Sequence, residues 1–540
     1  MSSEPSYDFI VVGAGSAGCV LANRLSADPS HRVLLLEAGP AGHPLSRIPI
    51  SFGRLMDNPA ANWCYRSQPE DNTRGRPIPV PRGRVLGGSS TINGLVFVRG
   101  QRLDYDTWAQ LGNRGWSYDD VLPLFRRMES FAAGEDDLRG RDGPLKVTVH
   151  PDRSPLYEAL FAAGEQIGVP HNPDYNGDSQ EGVCKTQTTI SRGRRMSTAH
   201  CFLDPVRSRP NLEVRTGALA RELLLDGRTC VGVRFDHGGR SVTARARGEV
   251  VVSAGAVASP QLLELSGIGQ PEVLRAHGIE VRHALPGVGE NLRDHITPRL
   301  MWRTVKPKVT YNDRARGLGL VWHVLRYAVR RDGFLNLPSA PVVAFLRTRD
   351  ELASPDIQLH FMPFIFNSVN KRDLAPTPGF SVSCYQLRPE STGSIHIRSA
   401  EAREHPAIHF NFLSDALDRR TLIDGMRLTR KLVAAPALDG IRGDELRPGP
   451  GLTSDDELLD WVRATAETAY HPVGTCKMGP DGDPMAVVDD RLRVRGIDRL
   501  RVADGAIMPT LVSGNTNAAC IMIGERASDL VLEAARARRG

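Results

Sequence analysis

The stretch Tyr7–Gly39, YDFIVVGAGSAGCVLANRLSADPSHRVLLLEAG, decides the fold. Phe9-Ile10-Val11-Val12 is a short unbroken apolar run, the signature of a parallel strand buried on both faces. Gly13-Ala14-Gly15-Ser16-Ala17-Gly18 follows at once and fits G-x-G-x-x-G. In that pattern Gly13 makes the tight turn, Gly15 lets backbone approach a pyrophosphate, and Gly18 lets the next helix pack against the strand. Ala17–Leu25 reads as that helix, with Val20, Leu21 and Leu25 toward the sheet. Its free N–H groups, from Ser16 and Ala17 onward, and its positive dipole end favour phosphate. A second apolar run, Val33–Leu36, ends in Glu37 and Ala38. Glu37 follows Gly18 by 19 residues, near the roughly 20-residue spacing at which an acid binds the adenosine ribose hydroxyls. Strand, glycine turn, helix, second strand and acid together predict a dinucleotide site, for FAD or NAD rather than NADP.

At 540 residues the chain holds two or three ordinary domains, or one interleaved pair. Apolar residues at 41% and charged residues at 24% describe a globular protein, and the net charge of +6 is small for this length. The short Arg192–Arg195 cluster, RGRR, reads as solvated surface rather than a nucleic-acid site. The eight cysteines are scattered without C-x-x-C or histidine spacing. They predict reduced thiols, a cytoplasmic compartment and no metal site. The first strand begins a few polar residues after Met1, leaving no room for a signal peptide. There is no run of about 18 apolar residues to cross a membrane.

Beyond Glu37 a Pro-, Gly- and Arg-rich loop leads to Arg82–Gly100, RGRVLGGSSTINGLVFVRG, whose glycines and small hydroxyl residues suit backbone lying against something flat or phosphorylated. With the opening fingerprint, this segment resembles the N-terminal signatures of the glucose-methanol-choline (GMC) oxidoreductases. The resemblance implies FAD contacts from Val85, Gly88, Asn93, Gly94, Leu95 and Val96. Some members bond the flavin to a histidine just before the asparagine. Ile92 stands there, and no histidine occurs between His43 and His150, so FAD is expected to be non-covalent.

Helical periodicity covers Asp104–Met128, with Asp119-Asp120 as a capping start, and Pro155–Gln166. Two strands are read over Asn211–Val214 and up to Leu225, and by resemblance Ala220 lies at the adenine. Val250–Val252 is a buried strand entering Ser253–Gly269, which matches the third family signature. There Ser259 reads as a helix cap with Pro260 first in the helix, and Gly267 as its stop. Pro286–His295 resembles the turn leaving the flavin domain, and its Asp294-His295 pair reads as structural. From about residue 298 to 465 strands appear at Pro341–Leu346, Ile357–Phe366 and Ser381–Leu387. Phe361 and Phe364 are read as core. The fold expected is α/β: a Rossmann-like FAD-binding domain (1–148, 194–297 and 466–540) interleaved with an α+β substrate-binding domain (149–193 and 298–465) containing a large, mostly antiparallel sheet.

Tyr470–Gly479, YHPVGTCKMG, resembles the family's loop holding the catalytic histidine, His471. The second catalytic position maps to Asn515, and Asp504, Gly505, Asn517 and Ala518 map to flavin contacts. Many relatives have proline after Asn-Ala, where this chain has Ala519 and Cys520. An imidazole with a pKa near ~6.5 suits removal of a hydroxyl proton at neutral pH. The asparagine amide cannot act as a base but can donate to a developing alkoxide. The expected reaction is oxidation of an alcohol to an aldehyde or ketone, with His471 as base and hydride transfer to flavin N5. The pattern Gly-Asn-Thr-Asn-Ala looks most like the choline and medium-chain alcohol dehydrogenases, implying a quinone-like acceptor. Alternatives are an O2-using oxidase of hydroxymethylfurfural-type or aryl alcohols, a fatty-acid photodecarboxylase, and a flavin-binding protein without turnover.

Overall fold

The computed structural model describes residues 5–367 and 373–538, and two sheets carry its two main cores. The first sheet runs in the order Leu212–Thr216, Val33–Glu37, Ser6–Val12, Arg240–Val252, Thr229–His237, Ala218–Asp226. Leu500–Val502 also pairs with Arg240–Val252. Ser6–Val12 is parallel to both neighbours, and Phe9 to Val12 are all buried, as an unbroken apolar run requires. Arg240–Val252 serves two roles along one edge. Residues 240–245 continue an antiparallel meander, while Val250–Val252 pairs in parallel with Leu500–Val502. The two strands expected around residues 211–225 are present, but they lie at opposite ends of the sheet order.

The fingerprint helix spans Ser16–Leu25, with Val20, Leu21 and Leu25 fully buried. Its outer side is covered by the C-terminal helix Asn517–Ala537, which fills the same core cluster. Gly524 permits the contact, since a Cβ there would stand 2.9 Å from the Ala17 backbone. The Arg24 guanidinium grips the buried Glu525 carboxylate at 2.9 and 2.7 Å. This two-point pairing fixes helix register as well as distance.

The second sheet is antiparallel, ordered Arg442–Arg447, Arg299–Thr304, Gly379–Gln386, Ile357–Met362, Val342–Leu346, Gly182–Lys185. Period-two alternation gives it two different faces. Ile357, Leu359 and Phe361 point into a core shared with Leu422, Ile423 and Met426 of the helix Ala416–Val433. Thus Phe361 is core as expected. His360, Met362, Ser383, Tyr385 and Arg299 line a cavity on the opposite face.

Three local readings change. Ser259 does not cap a helix: the helix is Gly255–Leu265, Pro260 lies inside it, and the Ser259 hydroxyl donates to Asp504 instead. Gly267 follows the helix end with φ +79, as its stop role needs. The cap of Tyr118–Met128 is Ser117, with Asp120 completing a capping box. A 13-residue helix, Leu318–Arg330, interrupts the stretch read as strands.

Gly524→Leu is expected to force the two packed helices apart, lowering stability by about 1–3 kcal/mol, with Gly524→Ala milder. Urea unfolding would measure this, and a midpoint unchanged in the leucine variant would refute the close-contact argument.

Candidate functional site

Parallel strands deliver their C-terminal ends to one place. Gly13 follows Val12, Ser253 follows Val252, Asp504 follows Val502 by two residues, and Glu37 ends its own strand. All four line a single cavity, the crevice where open parallel sheets bind ligands. Gly13 has φ +100, and a Cβ on it would stand 2.5 Å from the Ser253 carbonyl oxygen. The loop Arg82–Gly100 lies across this turn, where a Cβ on Gly88 would stand 2.8 Å from Gly15 Cα. A Cβ on Gly15 would meet only the Ser253 oxygen, at 3.8 Å, so the space on that side is open. No side chain caps the helix that begins at Ser16. Its first-turn N–H groups are left for a ligand, as a pyrophosphate site requires.

Glu37 is buried, accepting from Ala14 N at 3.1 Å and Gly39 N at 2.8 Å. Burial pushes its carboxyl up to about 7, against the pull of those two N–H groups. A carboxylate has lone pairs left for two ribose hydroxyls. Ser16, Ala17, Ala38, Gly88, Asn93, Gly94, Leu95 and Val96 line the same cavity, as do Ala220, Gly505 and Asn517. Gly18, Val85 and Ala518 do not. Gly18 sits against the Gly13 carbonyl, Val85 packs with Leu55, Ala61 and Ile92, and Ala518 joins the main core. Ile92 also borders the cavity, and so does Cys520, whose buried thiol is pushed up to about 12 and stays protonated.

Two buried polar groups stitch this wall together. The Asp504 carboxylate accepts from Gly255 N (2.8 Å), Ser259 Oγ (2.6 Å) and Ala506 N (2.7 Å). It thereby joins the C-terminal segment to the strand-helix turn after Val252. Arg195, read as solvated surface, is instead 1% exposed. It donates to the carbonyls of Ser46, Pro49, Ser90 and Asn93 and to Asn93 Oδ1. Burial without an acid partner lowers its pKa to about 9. Charge clusters show no inward orientation in a sequence, and nothing in RGRR distinguished this one.

The second half of the cavity carries the histidines. His471 follows Tyr470, which adopts a left-handed φ of 70°. Asp294 Oδ1 accepts the backbone N–H of both His471 (2.8 Å) and His295 (2.7 Å), and Thr468 donates to Oδ2. Asp294 therefore clamps two histidines side by side. His295 Nε2 lies 2.9 Å from the Leu387 carbonyl oxygen, which can only accept. That nitrogen carries the proton, so in neutral His295 Nδ1 is bare. His471 Nδ1 lies 2.9 Å away and must donate to it. His471 Nε2 is then bare and faces Asn515 Nδ2 at 3.0 Å. Gln358 Nε2 sits 3.4 Å from Asn515 Oδ1, orienting the amide with its nitrogen toward the imidazole.

Burial keeps all these rings neutral. It lowers His295 to about 4 and His360 to about 3, and depresses His471 well below its ordinary value, with His295, His360 and Arg82 adding repulsion. The ordinary value near ~6.5 expected for His471 is thus displaced to acid. The Asp294-His295 pair is structural on the aspartate side only, since His295 touches the ring that faces the cavity. Phe364 borders the cavity rather than lying purely in core.

Two family models, both described as GMC oxidoreductase, match residues 7–297 and 389–524. Oxygen-dependent choline dehydrogenase from Photobacterium profundum is 44% identical over 533 residues, covering 98% of this chain and 93% of the relative. The enzyme of that name from Vibrio vulnificus is 42% identical, covering 98% and 95%. Among solved structures, pyridoxine 4-oxidase from Mesorbium loti superposes with a TM-score of 0.88 at 32% identity, covering 97% of this chain and 98% of that one. Formate oxidase from Aspergillus oryzae RIB40 gives 0.91 at 26% identity, covering 99% and 100%.

If Glu37 holds the ribose, FAD favours its anion, whereas the ligand-free site stays protonated up to about pH 7. FAD affinity should then rise between about pH 6 and about pH 8, and Glu37→Gln should flatten that rise. The raised pKa also costs the FAD-free protein stability as pH climbs from the ordinary carboxylate range to about 7. Titrating apoprotein with FAD across this range checks the role. An equally steep rise in the glutamine variant would remove Glu37 from it.

Proposed function

The chain belongs to the GMC oxidoreductase family, and we propose that it oxidises an alcohol with FAD, using His471 as the base and Asn515 as the oxygen-positioning donor. The observation that carries this is the bare Nε2 of His471 facing the Asn515 amide inside the cavity. Gly13, Gly15, Ser16, Ala17, Glu37, the 82–100 loop and the Asp504 segment would hold FAD. With Ile92 in that loop, at the place of the covalent histidine, and no histidine in the sequence between His43 and His150, the attachment is non-covalent. Bound FAD supplies a hydride acceptor. The protein supplies the rest: an alcohol hydroxyl entering between the two side chains gives its proton to His471 Nε2, while Asn515 Nδ2 donates to its oxygen. His295 acts as a positioning residue, since it takes the His471 Nδ1 proton in a hydrogen bond and so keeps Nε2 free.

The similar proteins carry "oxygen-dependent" and "oxidase" in their names, which supports O2 as acceptor beside a quinone-like one. The eight free cysteines favour a reducing, cytoplasmic compartment.

An anaerobic alcohol panel watched for flavin bleaching, then reopened to air, tests the reaction and the acceptor together. His471→Ala should slow bleaching by about 10²–10⁴-fold. Because burial depresses His471, the wild-type rate should stay flat through neutral pH and fall only in acid, below the ordinary imidazole range. Asn515→Ala should be slower but keep that acid limb. A His471→Ala enzyme with wild-type rate and limb would defeat the assignment.

The substrate is read from charge. On the reaction side Arg82 and Arg299 line the cavity. The lining carboxylates are Glu37 and Asp504, both engaged by backbone donors on the cofactor side. Arg299 has Ser383 Oγ at 3.3 Å and no ion-pair partner among the described residues. This balance disfavours a quaternary ammonium such as choline and suits an uncharged or anionic alcohol. Choline should therefore be the poorer substrate, and Arg299→Ala should raise its kcat/KM by about tenfold relative to an uncharged alcohol, the effect of a unit charge about 10 Å away at an effective dielectric near 20. Choline outperforming uncharged alcohols in the wild type would overturn this preference.

A further inference from the structure

The helix Leu318–Arg330 is built inside out. It touches the protein through His323 and Tyr327, which are buried one turn apart. The Tyr327 hydroxyl donates to the Gly193 carbonyl at 2.7 Å, and His323 packs beside Tyr311 and Phe334. The opposite face is apolar and open: Leu318 is 88% exposed, Val329 83%, Trp322 62%, Leu325 57% and Val321 54%. At 100° per residue these five fall on one stripe. Single exposed hydrophobics need no explanation, but a contiguous stripe of this size marks a surface that something covers.

Charge says what covers it. Residues 305–332 hold seven basic and two acidic residues, a net +5, while the whole chain carries +6. The segment that carries the apolar stripe is therefore strongly basic. Lys306, Lys308, Arg316 and Arg330 are exposed, and Arg326 is paired with Asp332. An apolar face bearing tryptophan, in a segment rich in exposed arginine and lysine, matches a helix lying in the headgroup region of an anionic bilayer. A second copy of the chain fits poorly, because a two-fold contact would set one +5 segment against another.

We propose that Leu318–Arg330 docks this enzyme on the surface of an anionic phospholipid membrane, lying in the interface without crossing it. Among the described residues no helix is long and apolar enough to cross. The docked helix adjoins the cavity. Phe334, just beyond it, and Leu374 both pack against the cluster of Tyr311, Ala315 and Leu337, and Leu374 bridges to Phe366 of the cavity wall. Docking would bring that wall to the lipid, where apolar alcohols and quinones concentrate.

The test uses purified holoenzyme with vesicles of phosphatidylglycerol and, separately, of phosphatidylcholine. The wild type should sediment with phosphatidylglycerol, far less with phosphatidylcholine, and lose binding as salt rises. Trp322 emission should shift to the blue on the anionic vesicles. Leu325→Glu/Val329→Glu should weaken partition by at least about tenfold. Both side chains point away from the protein, so flavin content should be unchanged. Wild type left in solution with phosphatidylglycerol, or a double variant that sediments equally, would overturn the proposal. So would a wild-type dimer that the double variant converts to monomer, which would assign the stripe to self-association. Sedimentation is read without any alcohol, so its outcome stands apart from the proposed oxidation.

Discussion

Backbone lying directly on backbone is the constraint the site depends on. Three segments far apart in the chain, around Gly13, Gly88 and Ser253, approach so closely that a single Cβ at Gly13 or Gly88 would overlap a neighbouring main chain. Side chains cannot bring N–H groups within reach of a ligand's phosphates from several directions, because they occupy the space first. Glycine removes that obstacle and leaves the main chain as the binding surface. The entropic cost is met by burial around it: the strand Ser6–Val12 and the two packed helices hold the turn from behind.

Around the three histidines the organising principle is desolvation, not charge pairing. His295, His360 and His471 are all held neutral by burial. Hydrogen bonds therefore fix the tautomers. A carbonyl at Leu387 decides where the proton sits on His295, which decides it on His471, which leaves one bare nitrogen at the cavity. The Leu387 carbonyl can only accept, so this arrangement of protons holds at every pH above the histidine range. Asp294 holds both backbones in register from below, and its own raised pKa, about 6, reflects the same dryness.

Much of this architecture was legible beforehand. Strands such as Val33–Glu37 and the helix Pro155–Gln166 carry strong local patterns, and the glycine spacing from Gly13 to Gly18 admits few other uses. What escaped was non-local. Arg195 looks like its neighbours in RGRR until the fold buries it beneath the 82–100 loop. His295 lies 176 residues from His471, and no periodicity links them. Ser259 satisfied every local rule for a cap, yet Gly255 begins the helix and Asp504 takes the serine hydroxyl. Leu318–Arg330 has ordinary helical periodicity, but a sequence does not say which face meets the protein.

The buried polar groups at the seams explain why these distant segments form one site. Asp504 ties the C-terminal segment to the turn after Val252, Arg195 ties the 82–100 loop to residues 46–49, and Glu37 ties its strand end to Ala14. Each sits where apolar packing alone would leave several N–H or C=O groups unpaired, at about 1–3 kcal/mol apiece. Removing one such side chain exposes all its partners to that penalty together, so the seams behave as units. A ligand laid along them, contacting Gly15 N–H, Glu37 and the Asp504 segment at once, would add its binding energy to every seam it crosses. Folding of the parallel sheet and occupation of its crevice are then coupled, and the cofactor side of the cavity becomes most rigid when filled.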